Sequence, residues 1–155
     1  MIKQDRNKYG TPIDFYDKLN QEFNFDHDPC PLDWNVNTHD DGLTSEWGNR
    51  NFVNPPYGRG MVQKWIEKAD IECKKGKLVV MLINVSTDTV VFHKYIYQQP
   101  HIELRFIKGR LRFFEPESQK QMGPNPRPSM LVIWHPKKSE NQSNDSGLRV
   151  ESHNL

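Results

Sequence analysis

Asn51-Phe52-Val53-Asn54-Pro55-Pro56-Tyr57-Gly58 is the stretch on which the fold turns. A short apolar strand ends in Asn54. Two prolines follow, each fixing φ and supplying no backbone N–H. The side-chain carbonyl of Asn54 and the backbone carbonyl of Pro55 can then point into a site as two hydrogen-bond acceptors. Such a pair suits an exocyclic –NH2 group, which has two hydrogens to donate. Tyr57 adds a flat face on which a planar ring can stack. The four residues read as a clamp for an amino group on a planar heterocycle. A plain Pro-Pro turn leaving a strand is the simpler reading, but at average residue usage this tetrapeptide occurs by chance in well under ~1% of chains this long.

Downstream of the clamp, Gly58 and Gly60 loosen the chain and a helix follows. Val62, Trp65, Ile66, Ala69 and Cys73 form its apolar face, and Gly76 is placed just past its end. Leu78 to Ile83 is a continuous apolar run, the pattern of a central strand covered on both faces. Strand, helix and strand at this spacing make a βαβ unit, so the two strands should be parallel and the class α/β. Thr87-Asp88 is placed to cap a short helix carrying Val91, Phe92 and Tyr95 inward. Ile102 to Ile107, Lys108-Gly109 and Arg110 to Phe114 read as a β-hairpin. The proline-rich residues 115–128 predict a mobile loop, and Ser129 to Trp134 a last strand.

Upstream, Thr11-Pro12 reads as the cap and first position of a helix whose face carries Tyr16, Leu19 and Phe23. Phe25 to Asp28 predicts a short strand broken by Pro29-Cys30-Pro31. Residues 32–47 have no sustained period and predict a long ordered loop, which in a compact domain is usually functional. Residues 1–8 are polar and predicted to be flexible. From 137 the chain turns to Ser, Asn, Lys and Glu and predicts a disordered tail, leaving 9–136 as one domain.

The chain has 155 residues, 35% of them apolar, and a net charge of +1. No global basic field announces nucleic acid, so any such surface must be local. Cys30 and Cys73 lie far apart, and nothing at the N-terminus resembles a signal peptide. Free thiols in the cytoplasm are expected. No apolar run approaches the ~20 residues of a membrane span. His27, Cys30, His39 and Cys73 lack any paired ligand spacing, so no metal site is expected.

Asn54-Pro55-Pro56-Tyr57 resembles the catalytic motif of amino-methyltransferases. The surrounding chain, over roughly 9–136, resembles the phage-type DNA N-6-adenine methyltransferases, the Dam-like family. Thr11-Pro12, Asp28-Pro29, Asp41-Gly42-Leu43 with Trp47, the Trp65-Ile66-Glu67-Lys68-Ala69 helix and Gly109-Arg110 carry the likeness. The resemblance implies S-adenosylmethionine as cofactor and an adenine in double-stranded DNA as substrate, with transfer in the host cytoplasm if the source is viral. It implies Asn54, Pro55, Pro56 and Tyr57 as catalytic residues. Thr11, Pro12, Asp28, Pro29 and Asp41 would line the cofactor site. An ammonium could pair with Asp28, at a strand's carboxyl end where ligands bind in open α/β sheets; Asp28 could equally cap a turn. Asp41-Gly42 is by itself a turn signal, and Thr-Pro an ordinary helix start. Lys108, Arg110 and Arg112, with Arg105, could hold phosphates or form a solvated face.

Residues 29–53, the 25 between Asp28 and Asn54, are too few for two βα units. A minimal Rossmann-like class I methyltransferase fold is therefore expected, a mixed sheet with a C-terminal β-hairpin and little or no separate target-recognition domain. Weak sequence selectivity, or a homodimer that completes the DNA cleft, would follow. Two alternatives stay open. One is the same chemistry on RNA bases or a protein glutamine. The other is an inactive nucleic-acid-binding relative, since the cofactor glycine loop of amino-methyltransferases is absent after Asp28-Pro29.

Overall fold

The computed structural model describes residues 9–32, 34 and 41–138. Along them run α1 (Ile13–Phe23), β1 (Arg50–Val53), α2 (Met61–Lys74), β2 (Leu78–Asn84), α3 (Val90–Tyr95), β3 (Ile102–Phe106) and β4 (Ser129–Trp134). The strands form one mixed sheet in the order β1-β2-β4-β3. β1 and β2 are parallel, with Phe52 opposite Val80 and Val53 opposite Met81. β4 runs antiparallel to β2 and to β3. The parallel pair with α2 between its strands is the predicted βαβ unit.

Period-2 alternation sorts the sheet residues onto two faces. Val53, Val79, Met81 and Ile83 pack with Trp65, Ile66 and Ala69 of α2 and with Phe92 and Ile96. Phe52, Val80 and Leu82 pack with Leu19 and Phe23 of α1 and with Phe113. Both faces of β2 are covered, which is why its sequence is apolar without a break. Gly76 lies just beyond α2 at φ 96°, the left-handed conformation that glycine adopts without strain.

The last turn of α2 holds a buried carboxylate, Glu72. Lys68 and Lys77 each approach it to 2.7 Å and Lys75 to 3.1 Å. Lys77 Nζ also donates to the Trp47 carbonyl at 2.6 Å, tying the loop before β1 to the helix. Burial alone would raise the Glu72 pKa, but hydrogen bonds from Lys68, Lys77 and Lys75 outweigh it and hold the pKa down to about 2.

Several expectations are corrected. The predicted strand Phe25–Asp28 is reduced to one parallel bridge, His27 with Asn51. Pro29 and Pro31 follow at once and have no N–H to extend a ladder. The predicted C-terminal β-hairpin does not form. β3 pairs with β4 instead of with 110–114. The apolar run of β4 can be buried on both faces, whereas 110–114 offers only alternate apolar residues. Gly109 does turn the chain, at φ 79°. Residues 115–128 are tied down rather than loose: Met122 N–H donates to the Phe113 carbonyl at 2.7 Å and Asn125 N–H to that of Leu111 at 2.8 Å. Helix α3 is capped by Thr89, whose hydroxyl accepts from the Phe92 N–H, not by Thr87-Asp88. Helix α1 begins one residue late, with Pro12 as its cap and Thr11 outside it. The predicted flexible start (1–8), most of the predicted tail (139–155) and part of the long loop (33 and 35–40) lie outside the described residues.

Candidate active site

Asn54 follows the last residue of β1. The register places it opposite Leu82, on the α1 side of the sheet. Its side chain is buried, and its Nδ2 donates to two acceptors, the Tyr9 carbonyl at 3.0 Å and Thr11 Oγ1 at 3.0 Å. Both amide hydrogens are thereby spent on the segment that leads into α1. The amide cannot turn over without losing both bonds, so its oxygen has a fixed direction. Thr11, predicted to cap a helix, uses its hydroxyl to orient Asn54.

Pro55 and Pro56 are buried. The Tyr57 ring is flanked by Tyr9, centroids 6.4 Å apart, and meets Phe113 edge-on at 6.3 Å. Its hydroxyl is buried and makes no hydrogen bond among the described residues. Burial raises its pKa well above the ordinary phenol range, so Tyr57 is neutral at physiological pH. It can serve as a platform and not as a proton acceptor.

Two cavities share Tyr9 as a wall, and Asn54 lines only the smaller of them. The smaller, about 210 Å³, brings together Thr11, Asp28 and Asn54, with Tyr16 and Phe52 beside them. Asp28 is exposed, and its Oδ1 accepts the Cys30 N–H at 3.0 Å, the turn read from sequence. Its charge reaches the neighbouring Tyr16, whose pKa is raised by burial first and by Asp28 and Asp17 after it. The larger cavity, about 400 Å³, has Tyr9, Tyr57 and Phe113 as aromatic walls and Asn84 and Asn125 as polar ones. A third, about 640 Å³, also touches Tyr57 and Asn84 and reaches Ile66, Phe92 and Arg127. Ile66 and Phe92 belong to the α2 side of the sheet, across from the Asn54 amide.

The other predicted residues are placed differently. Asp41 is buried and accepts from Trp34 Nε1 at 3.1 Å and from the Leu43 N–H at 3.0 Å. Trp47 Nε1 donates to the Gly42 carbonyl at 2.6 Å. Asp41 thus fastens the loop together and lines none of these three cavities. Pro29 supports the same loop: a Cβ on Gly42 would lie 2.0 Å from the Pro29 carbonyl oxygen. Pro12 caps α1 without lining the smaller cavity. Lys108, Arg110 and Arg112 are exposed while Phe113 is buried, so the predicted alternation holds although the strand does not. Arg110 Nη1 donates to the Asn125 carbonyl at 3.4 Å. Arg105, read with them as a phosphate ligand, is held by Glu22 through two 2.7 Å bonds and also pairs with Glu103.

Four contributors were missed: Tyr9, Asn84, Phe113 and Asn125. One signal was available for Asn84, because the apolar run of β2 leads into an asparagine as that of β1 does. Among the described residues no group of three His, Cys, Asp or Glu side chains could hold a metal ion. No helix among them is long and apolar enough to cross a membrane.

A sequence model of one family, described as DNA N-6-adenine-methyltransferase (Dam), matches residues 1–152. The DNA N-6-adenine-methyltransferase of Haemophilus phage HP1 (strain HP1c1) is 29% identical over 146 residues, spanning 87% of this chain and 82% of that protein. No solved structure matches. The chain belongs to the DNA N-6-adenine-methyltransferase (Dam) family.

Proposed function

We propose that this protein transfers a methyl group from S-adenosylmethionine to the N6 amino group of an adenine in double-stranded DNA. The observation that carries this reading is the anchored amide of Asn54, with its hydrogens committed to Tyr9 and Thr11. An amide so held meets an incoming amino group with its oxygen.

The target amino group is paired inside the duplex, so the base must be extruded to react. The cavity of about 400 Å³ walled by Tyr9, Tyr57 and Phe113 suits a planar ring. The oxygen of Asn54 and the carbonyl of Pro55 accept the two amino hydrogens. This draws the nitrogen lone pair out of conjugation with the ring and aims it along the line of attack. Orientation and polarisation are the chain's contributions, and no strong base is needed to start transfer.

The smaller cavity fits the aminoacyl part of the cofactor by its donor set. The carboxylate of Asp28 suits an ammonium. The N-terminus of α1, where Pro12 caps without a side-chain bond, suits a carboxylate. Tyr9, Tyr16 and Phe52 suit a sulfonium cation. Bound there, S-adenosylmethionine would supply an electrophilic methyl carbon. Asp41 and Pro29 act as supports of this cavity. Lys108, Arg110 and Arg112 contact phosphates beside the aromatic cavity.

The four-stranded sheet is compatible with a reduced Rossmann-like methyltransferase fold, its site lying at the carboxyl ends of the parallel strands β1 and β2. Residues 9–136 would form that unit. Weak site selectivity or a homodimer would accompany so reduced a sheet, and methylation mapping and light scattering read these out.

The decisive assay is tritiated-methyl incorporation into unmethylated DNA, with RNA and protein as parallel substrates. Wild type labels DNA. Asn54→Ala loses about 100-fold or more of the rate, the scale of removing one preorganised polar group, while calorimetric cofactor affinity stays near wild type. Equal turnover by the variant refutes the clamp.

A further inference from the structure

Asn84, the last residue of β2, stands in the wall of the aromatic cavity. The parallel register puts Asn54 opposite Leu82, and Asn84 lies two residues further on. Asn54 and Asn84 therefore project from the same face of the sheet, from neighbouring strand ends. Asn84 Oδ1 accepts a hydrogen bond from Asn125 Nδ2 at 2.9 Å. Asn125 is itself fixed, since its backbone N–H donates to the Leu111 carbonyl at 2.8 Å and its Nδ2 lies 3.5 Å from Ser129 Oγ. The Asn84 amide is thus held by its oxygen. What it has left to offer the cavity is its N–H2 group, which makes no hydrogen bond with the described residues.

We propose that Asn84 is a specificity residue whose Nδ2 donates a hydrogen bond to N1 of the extruded adenine, and that Asn125 is the positioning residue that keeps this donor facing the base. The proposal rests on the aromatic cavity being the base site. A base leaving the duplex is tethered by its sugar, so the edge opposite the glycosidic bond enters first. In adenine that edge carries the amino group and, next to it, N1, a bare acceptor. The amino hydrogens belong to Asn54 and Pro55, which leaves N1 for a donor. Guanine and thymine carry an N–H at the corresponding ring position. Donor would then face donor in a desolvated site, a built-in repulsion against these two bases.

The test uses a duplex containing the mapped target site, with the target adenine replaced by 1-deazaadenine or 7-deazaadenine. kcat/KM is measured for wild type, Asn84→Ala, Asn84→Asp and Asn125→Ala, each checked by melting and by cofactor affinity. Wild type should lose about tenfold on 1-deazaadenine, the scale of one hydrogen bond, and little on 7-deazaadenine. Both Asn84 variants should transfer to adenine about tenfold more slowly and no longer distinguish it from 1-deazaadenine. Asn125→Ala should shrink the distinction without abolishing transfer. A penalty of the same size in wild type and in the Asn84 variants would overturn the proposal, as would no penalty in wild type or one confined to 7-deazaadenine. Wild type that transfers to no adenine duplex would sink the base-site reading, and this proposal with it.

Discussion

Replacing Thr11 by valine removes one oxygen atom and keeps the shape of the side chain. In the folded protein that oxygen takes one of the two hydrogens of Asn54 Nδ2 at 3.0 Å, and the Tyr9 carbonyl takes the other at the same distance. Asn54 is only 6% exposed, so water cannot easily replace the lost partner. A side-chain hydrogen bond contributes about 1 kcal/mol net, and an orphaned buried donor costs about 1–3 kcal/mol. With one anchor of two remaining, the amide's orientation weakens by roughly 1–1.5 kcal/mol, or about tenfold in rate. Thr11→Val should therefore lower kcat about tenfold in methyl transfer to DNA. Cofactor affinity should stay within about threefold of wild type, well under the ~1.4 kcal/mol of a tenfold change. Thr11→Ser should restore most of the rate, because the hydroxyl is what matters. A valine variant with wild-type kcat would refute the anchoring. So would one whose whole defect lies in cofactor affinity, since the hydroxyl would then act on the cofactor and not on Asn54.

Other expectations can be checked on the same preparations. The Glu72 carboxyl is held down to about 2 when folded, against 4.5 ordinarily, so its stabilisation is full above about pH 4.5 and is lost as pH falls toward 2. Wild-type Tm should drop across that window, and Glu72→Gln should flatten the drop while costing about 3 kcal/mol at pH 7 by removing the carboxylate that Lys68, Lys75 and Lys77 share; an unchanged acid profile in the variant would exclude this role. Gly42→Ala would place a Cβ 2.0 Å from the Pro29 carbonyl oxygen and 2.8 Å from the Trp65 ring. Neither can move cheaply, so calorimetry should show a loss of about 1–3 kcal/mol, and a neutral substitution would mean the loop is looser than described. Arg110→Gln with Arg112→Gln should weaken DNA binding evenly across sequences and make the slope of log K against log salt shallower by about 2. An unaltered slope would place the phosphates elsewhere.

The βαβ unit was legible because three independent signals agreed: the apolar face of α2, Gly76 at its end and the unbroken run of β2. The hairpin was misread because strand pairing is a competition, and local alternation at 110–114 says nothing about the better partner, β4, that lies further along the chain. The strand end at Asn54 and the proline turn after it were legible, and the cavity joining Thr11, Asp28 and Asn54 follows from strand ends being neighbours. The orientation of Asn54 was not, because the atoms that set it come from Tyr9 and Thr11. Thr11 was singled out, but local rules assigned its hydroxyl to the helix behind it. Asp41 shows the converse. Asp-Gly by itself signals a turn and the resemblance implied a cofactor contact; the bonds from Trp34 and Leu43 show the acid fastening a loop. The proline-rich stretch hid Asn125, since proline content reports an absence of regular structure and not an absence of order.

Residues 9–11 join parts of the chain that are remote in sequence. Tyr9 and Thr11 grip Asn54 across 45 and 43 positions, and Gly10 exchanges two backbone hydrogen bonds with Phe114. Such long closures are entropically demanding and form late in folding. A chain emerging from the ribosome would thus be chemically silent until its remote segments had met, and catalytic turnover in a refolding experiment should lag behind the recovery of tryptophan fluorescence. Enzymatic competence then reports the completion of the whole topology, and a partly assembled chain would leave DNA unmarked.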